Sequence, residues 1–112
     1  MQRESKKYLQ DVLNAATSIE EFTRNRTLSD MESDDLLRSG VYYQFVIIGE
    51  ALSQMRRIDE ELFDRISPSS RIVGFRIQIG HGCQVIPDKL TWQVIREKLP
   101  ILRGEVQQLL SE

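Results

Sequence analysis

The sequence contains a single cysteine, Cys83, and a single histidine, His81. One cysteine cannot form a disulfide within the chain, and no cysteine cluster is available to hold zinc, which fits a reducing cytosol. No apolar run approaches the roughly 20 residues that a membrane-spanning helix needs. The first ten residues, MQRESKKYLQ, also lack the apolar core of a signal peptide. These absences predict a cytoplasmic protein that makes no use of a membrane.

Neither sign of charge dominates the chain, because 15 lysines and arginines nearly balance 17 acidic residues and leave a formal net charge of −2. No global positive field would therefore draw the protein to nucleic acid or to anionic lipid. Any phosphate-binding site has to be local. The carboxylates show no spacing typical of metal ligands, so neither a metal nor another cofactor is expected.

The patterning of apolar residues predicts an all-α fold in a single domain spanning residues 1–112. In YLQDVLNAATSIEEF, apolar residues recur every three or four positions, which predicts a first helix over about residues 3–24. A long helix, apolar on most faces near its middle, is predicted from about 34 to 57. Ser29 and Glu32 have the spacing of a capping box for that helix. No alternating run is long enough to predict a strand.

Three more helical segments complete a predicted bundle of four or five helices. Asp59 is expected to open a short helix in DEELFDRI. The next helix is predicted over about 70–81, with Gly82 as the residue that ends it. Apolar spacing then resumes over about 90–109, and Pro100 predicts a kink in this last helix, because proline lacks a backbone donor and crowds the preceding turn.

The stretch RIVGFRIQIGHG places Arg76 in the middle of a helix that is otherwise apolar on most sides. A guanidinium in such surroundings is costly unless it is paired or reaches a cleft. Five positions along an ideal helix separate the Arg76 and His81 side chains by roughly 140°, so helical geometry by itself does not bring them together. Fraying at Gly80 and Gly82 would allow both side chains to reach one opening.

Simpler interpretations of these residues remain open. His81 would favourably meet the negative end of the helix dipole and cap free carbonyls there. Arg76 would pair with Glu50, which lies in the equally apolar VIIGEAL of the long helix. Cys83 is either a thiolate activated by His81 or a small buried apolar residue.

Four segments of the chain, in order, resemble a HepT-type protein of the HEPN superfamily: YLQDVLNAATSIEEF, IIGEAL, IVGFRIQIGHG and WQVIREKLPILRGEVQQLL. The motif of that family is an arginine, four variable residues, a histidine, any residue and a tyrosine. In this chain the corresponding residues are Arg76, His81 and, in the tyrosine position, Cys83.

The resemblance implies a small helical ribonuclease, typically the toxin of a bacterial toxin–antitoxin pair, that cuts RNA without a metal. It implies that Arg76 holds the phosphate and that His81 acts as general acid or base. It further implies a symmetric homodimer in which two copies of the motif share one cleft, edged by Arg71, and an antitoxin of the nucleotidyltransferase type. Independently of the family, small residues on largely apolar helices, Gly49, Gly74 and Gly80, also suggest a dimer.

Two positions depart from the family pattern. Ile77 stands where a polar residue, often asparagine, usually follows the arginine, and a group that could orient the phosphate is thereby lost. Cys83 replaces a tyrosine that a nucleotidyltransferase antitoxin can adenylylate. Both departures favour an alternative, a catalytically impaired protein that binds RNA, a nucleotide or a nucleotidyltransferase without cleavage. A purely structural helical dimer is the third class of function.

Overall fold

The computed structural model describes residues 1–71, 73 and 87–112 of the chain. Over these ranges the chain forms helices and no strand, which confirms the predicted all-α fold. The helices, numbered in chain order, are α1 (Arg3–Thr23), α2 (Leu28–Ser33), α3 (Asp35–Ile58), α4 (Glu60–Asp64), α5 (Asp88–Glu97) and α6 (Leu99–Leu110). Residues 68–71 are also helical.

Helix α1 forms the centre of the bundle, because it packs against both α3 and α6. Its apolar stripe is removed from solvent, and Leu9, Val12, Ala16 and Ile19 are each 0% exposed. The predicted first and long helices thus lie within one or two residues of their observed bounds. Each fully buried leucine, valine or isoleucine side chain contributes roughly 1.5–3 kcal/mol through burial, so the stripe explains the position of α1.

The predicted capping box at Ser29 and Glu32 is wrong, because the box lies two residues earlier. The Thr27 hydroxyl accepts a hydrogen bond from the backbone N–H of Asp30, and the Asp30 carboxylate accepts one from the backbone N–H of Thr27. Ser29 lies inside the short helix α2 that this box opens. Asp34 then caps α3 by accepting a 3.1 Å bond from a backbone N–H. In the capping box at Thr27, Asp30 takes the place of the glutamate or glutamine of the usual pattern.

The last predicted helix is divided rather than kinked. Helix α5 ends at Glu97, Lys98 lies between the two elements, and α6 begins at Leu99 with Pro100 in its first turn. Proline is tolerated in the first turn of a helix, where an N–H would have no acceptor within the helix. The proline therefore opens a new helix instead of bending an existing one.

The helical stretch that leads into the Arg76 segment is fixed to α6 by a carboxylate. It begins at residue 68, two residues before the predicted start. Glu105 of α6 accepts hydrogen bonds from the Ser70 hydroxyl at 2.5 Å, the Ser67 hydroxyl at 3.1 Å and the Ser67 backbone N–H at 3.3 Å. Ser70 is 0% exposed, and its hydroxyl also accepts a 3.0 Å hydrogen bond from the Ser67 hydroxyl, so Glu105 supplies the charged acceptor of this buried group. A negative charge at the start of a helix also complements the helix dipole.

We predict that Glu105→Ala lowers the free energy of unfolding by about 1–3 kcal/mol, because it leaves the buried Ser70 hydroxyl without its acceptor. Glu105→Gln keeps one acceptor oxygen and should lose less. Urea unfolding followed by far-UV circular dichroism measures both changes. Gln108→Ala, at an exposed position on the same helix, is the control, and a loss as large as that of Glu105→Ala would contradict the anchoring role.

Candidate functional site

The predicted catalytic residues Arg76 and His81, together with Ile77 and Cys83, lie outside the residues that the structure describes. The structure does describe the chain on both sides of this segment. On its amino-terminal side, Ser70 is bound to Glu105 of α6. On its carboxyl-terminal side, α5 begins at Asp88.

Helix α5 is fixed at its start by Tyr42 of α3. The Tyr42 hydroxyl donates a 3.0 Å hydrogen bond to the Asp88 carboxylate and lies 3.4 Å from the Thr91 hydroxyl. Burial raises the pKa of Tyr42 above its ordinary value of 10.0, and the nearby Asp88 carboxylate adds to that shift. Tyr42 is therefore a neutral hydrogen-bond donor at physiological pH. Both ends of the Arg76 segment are held to helices of the central bundle.

Arg71, predicted to edge an RNA-binding cleft, is engaged by its own chain. Its Nε donates a 2.7 Å hydrogen bond to the Ile66 carbonyl and its Nη2 a 3.1 Å bond to the Asp64 carbonyl. Its guanidinium also lies over the Phe63 ring, 4.7 Å from the centroid. Its Nη2 also lies 3.9 Å from an Asp64 carboxylate oxygen, so described residues already bind two of the three guanidinium nitrogens. The predicted RNA contact of Arg71 stays a prediction.

Glu50 and Gly49 are neighbours on α3 that differ in their exposure to solvent. Glu50, the predicted partner of Arg76, is exposed, whereas Gly49 is buried within the chain. The carboxylate of Glu50 is thus accessible to another group, and its pairing with Arg76 stays a prediction. Because Gly49 is covered by its own chain, it offers no free surface for a second copy, and the dimer argument drawn from it is wrong for that residue.

Hydrogen bonds that sequence reasoning missed hold both ends of the candidate site. Glu105 is separated from Ser70 by 35 positions, and Tyr42 from Asp88 by 46. No local pattern in the sequence marks such contacts, because each residue taken separately resembles an ordinary polar position on a helix. A glutamate that accepts hydrogen bonds from two serines at the start of another helix becomes recognisable only when the packing of the helices is known.

Within residues 1–71, 73 and 87–112, no three His, Cys, Asp or Glu side chains come together in an arrangement that could hold a metal ion. The same part of the chain contains no helix long and apolar enough to span a membrane.

Comparison with known proteins identifies relatives over almost the whole chain. Residues 12–109 match the family described as HepT-like, Ribonuclease HepT-like. The "Probable ribonuclease HepT" of Thermococcus cleftensis is 29% identical over 109 residues, which cover 97% of this chain and 98% of that protein. A Methanocaldococcus jannaschii protein with a provisional RNase designation is 29% identical over 105 residues, covering 94% of this chain and 95% of its own length.

A second M. jannaschii protein is longer and carries two designations, gamma-glutamylcyclotransferase and, provisionally, RNase. It is 27% identical over all 112 residues of this chain, which span 50% of its length. No solved structure matches the chain. The family match from residue 12 to 109 nevertheless covers most of the bundle described above. The chain belongs to the HepT-like ribonuclease family of HEPN proteins.

Proposed function

We propose that this protein is a metal-independent endoribonuclease, the toxin of a toxin–antitoxin pair, and that Arg76 and His81 are its catalytic residues. The observation that carries the proposal is the pair itself. An arginine and the sole histidine of the chain stand five positions apart, which is the spacing of the motif that the family resemblance implies, and both lie within the matched range 12–109. The order of the four segments that resemble the family supports this assignment.

In the proposed reaction, the ribose 2′-oxygen attacks the adjacent phosphorus while its proton passes to a general base. The bond from phosphorus to the 5′-oxygen breaks, and that oxygen receives a proton from a general acid. The products are a 2′,3′-cyclic phosphate and a free 5′-hydroxyl. A histidine of pKa near 6.5 can serve in either proton transfer at neutral pH. Arg76 binds the phosphate oxygens and offsets the charge that develops on them.

One arginine and one histidine supply few groups for two proton transfers. A symmetric homodimer brings two copies of Arg76 and His81 to one cleft, so that one imidazole can act as base and the other as acid. Two exposed apolar side chains, Leu36 at 84% on α3 and Ile101 at 47% on α6, would lose their contact with water if a second copy covered them. The two-fold cleft would also concentrate positive charge on a chain of net charge −2.

The second candidate function is a HEPN protein that binds RNA, a nucleotide or a nucleotidyltransferase without cutting. Ile77 favours it, because an apolar side chain replaces the polar group that usually follows the arginine. In that protein Arg76 would retain a phosphate-binding role, whereas His81 would have no substrate proton to transfer.

We predict that His81→Ala and Arg76→Ala each reduce cleavage of cellular RNA by at least about 10²-fold, the usual loss when a general acid or base is removed. Cleavage by the wild type should persist in EDTA and should require the ribose 2′-hydroxyl. Gel analysis of the RNA, with product ends tested for a cyclic phosphate, measures both.

The matched control for this experiment is Arg57→Ala, which removes an exposed arginine of α3 and should leave cleavage unchanged. Equal cleavage by the wild type and both motif variants would exclude Arg76 and His81 as the site. No cleavage by any of them would favour the binding protein, and Ile77→Asn is then the substitution expected to restore activity.

We predict that the chain, of mass 13.0 kDa, sediments at equilibrium with twice that mass at micromolar concentration. The dimer should persist in His81→Ala and Arg76→Ala, because the proposal assigns both groups to the cleft and not to the surface that joins the two copies. A monomer that still cleaves RNA would show that one copy of the motif suffices.

We predict that a nucleotidyltransferase antitoxin does not silence this protein by adenylylating position 83, because Cys83 lacks a phenol hydroxyl. Inhibition should instead come from masking of the cleft or from modification of another hydroxyl. Tyr43 is 64% exposed, whereas the Tyr42 hydroxyl is bound to Asp88, so Tyr43 is the more accessible acceptor. Intact-mass and peptide spectrometry after co-expression locate any added AMP, and AMP on Cys83 would contradict this prediction.

A further inference from the structure

A groove of about 610 Å³ lies between the carboxyl-terminal end of α1, the end of α5 and the first turns of α6. Arg24, Arg96 and Arg103 line it, and Glu20 is the acidic residue of its lining. Thr17, Asn25 and Gln107 add polar side chains. A surface with three arginines and one glutamate is locally basic, although the chain as a whole carries a net charge of −2.

Two of the three arginines, Arg24 and Arg96, form no ion pair with the described residues. Arg103 is paired with Glu20, whose Oε1 lies 2.6 Å from its Nε. Glu20 therefore neutralises Arg103 and not its neighbours. Among the residues that the structure describes, neither Arg24 nor Arg96 has a carboxylate within ion-pair distance. The groove thus carries two cations that the described part of the fold does not neutralise.

Arg96 is held in place without being neutralised. Its Nη2 donates a 3.0 Å hydrogen bond to the Arg26 carbonyl, and its guanidinium stacks 4.6 Å from the centroid of the Trp92 ring. Contacts of this kind order the long side chain and leave donors for a ligand, which lowers the entropy cost of binding. On the facing side, the chain leaves α1 through Arg24 and Asn25, and Asn25 has a φ of 60°, a left-handed conformation that asparagine tolerates better than most residues.

We infer that this groove binds the phosphate backbone of an RNA chain, with Arg24 and Arg96 contacting successive phosphates and the polar side chains contacting sugar or phosphate oxygens. The inference rests on the proposed function, since it takes RNA as the ligand. It adds a binding surface formed entirely by residues outside the Arg76–His81 motif. Backbone contacts of this type supply affinity and register without reading sequence.

The groove fits a polymer better than a single small anion. Its cations lie on different elements, Arg24 after α1 and Arg96 near the end of α5, and a volume of about 610 Å³ exceeds what one phosphate group fills. These features favour the nucleic-acid backbone.

The test is the salt dependence of RNA binding, measured by fluorescence anisotropy with a labelled single-stranded RNA in EDTA. The full-length His81→Ala protein is used as the background, with RNA integrity checked on a gel. Loss of one phosphate contact lowers the slope of log K against log salt by about 0.7 for a single strand, which corresponds to about fivefold weaker binding near 0.1 M salt. Arg24→Gln should show this loss, whereas Arg24→Lys should bind RNA almost as the background does. In the double variant Arg24→Gln with Arg96→Gln, the decrease in slope should be about twice that of Arg24→Gln.

The matched control is Arg3→Gln, which removes the same charge from the opposite end of α1, about 30 Å away along a helix of 21 residues. It should bind RNA as the background does. Equal losses in Arg3→Gln and Arg24→Gln would reduce the effect to net charge and overturn the inference. Displacement of the RNA by AMP at an equal concentration of nucleotides would overturn the assignment to a polymer. Circular dichroism of each variant excludes loss of fold.

Different results would contradict RNA binding by the groove and RNA cleavage by Arg76 and His81. Binding that depends on Arg24, by a wild type that never cleaves RNA, would leave the groove in place and remove the proposed nuclease activity. If the wild type cleaves RNA and Arg24→Gln changes neither its RNA affinity nor its cleavage rate, the nuclease proposal stands and the groove is excluded as an RNA-binding site.

Discussion

The burial of α1 between α3 and α6 is the constraint on which the rest of this structure depends. Four side chains of its stripe, Leu9, Val12, Ala16 and Ile19, are completely removed from water. Because α1 packs against both α3 and α6, the burial of this stripe fixes those two helices relative to each other as well as to α1. A loss of this helix would therefore separate the two elements that hold the motif segment.

Two polar contacts connect that constraint to the two ends of the segment that contains Arg76 and His81. Glu105 belongs to α6 and binds Ser70 before the segment, while Tyr42 belongs to α3 and binds Asp88 after it. The two anchoring helices are the same two that α1 holds together. The positions of both ends of the segment are thus set by the apolar core, and the polar contacts determine where the chain leaves and rejoins it.

The distribution of charge matters more to this protein than its total. An acidic chain has no general attraction for RNA, and any electrostatic contribution has to come from places where cations are left unpaired. In the groove, the Glu20 carboxylate forms an ion pair with Arg103. Because Glu20 is the acidic residue of the lining, Arg24 and Arg96 have no carboxylate partner there. The groove proposed to bind RNA and the proposed dimer cleft are two such places.

The sequence by itself determined the all-α class, the bounds of α1 and α3 and the cap at Asp59, because helical periodicity and capping depend on residues three or four positions apart. The motif pair Arg76 and His81 also came from sequence, through its resemblance to a family. Local patterns misplaced the cap at Thr27 and the break at Lys98, where neighbouring candidates compete and packing selects among them. Only the tertiary structure decided the Glu105 and Tyr42 anchors, the burial of Gly49 and the groove between α1, α5 and α6. Each of these joins or covers residues far apart in the chain, and their proximity is set by how whole helices pack, which no short window of sequence contains.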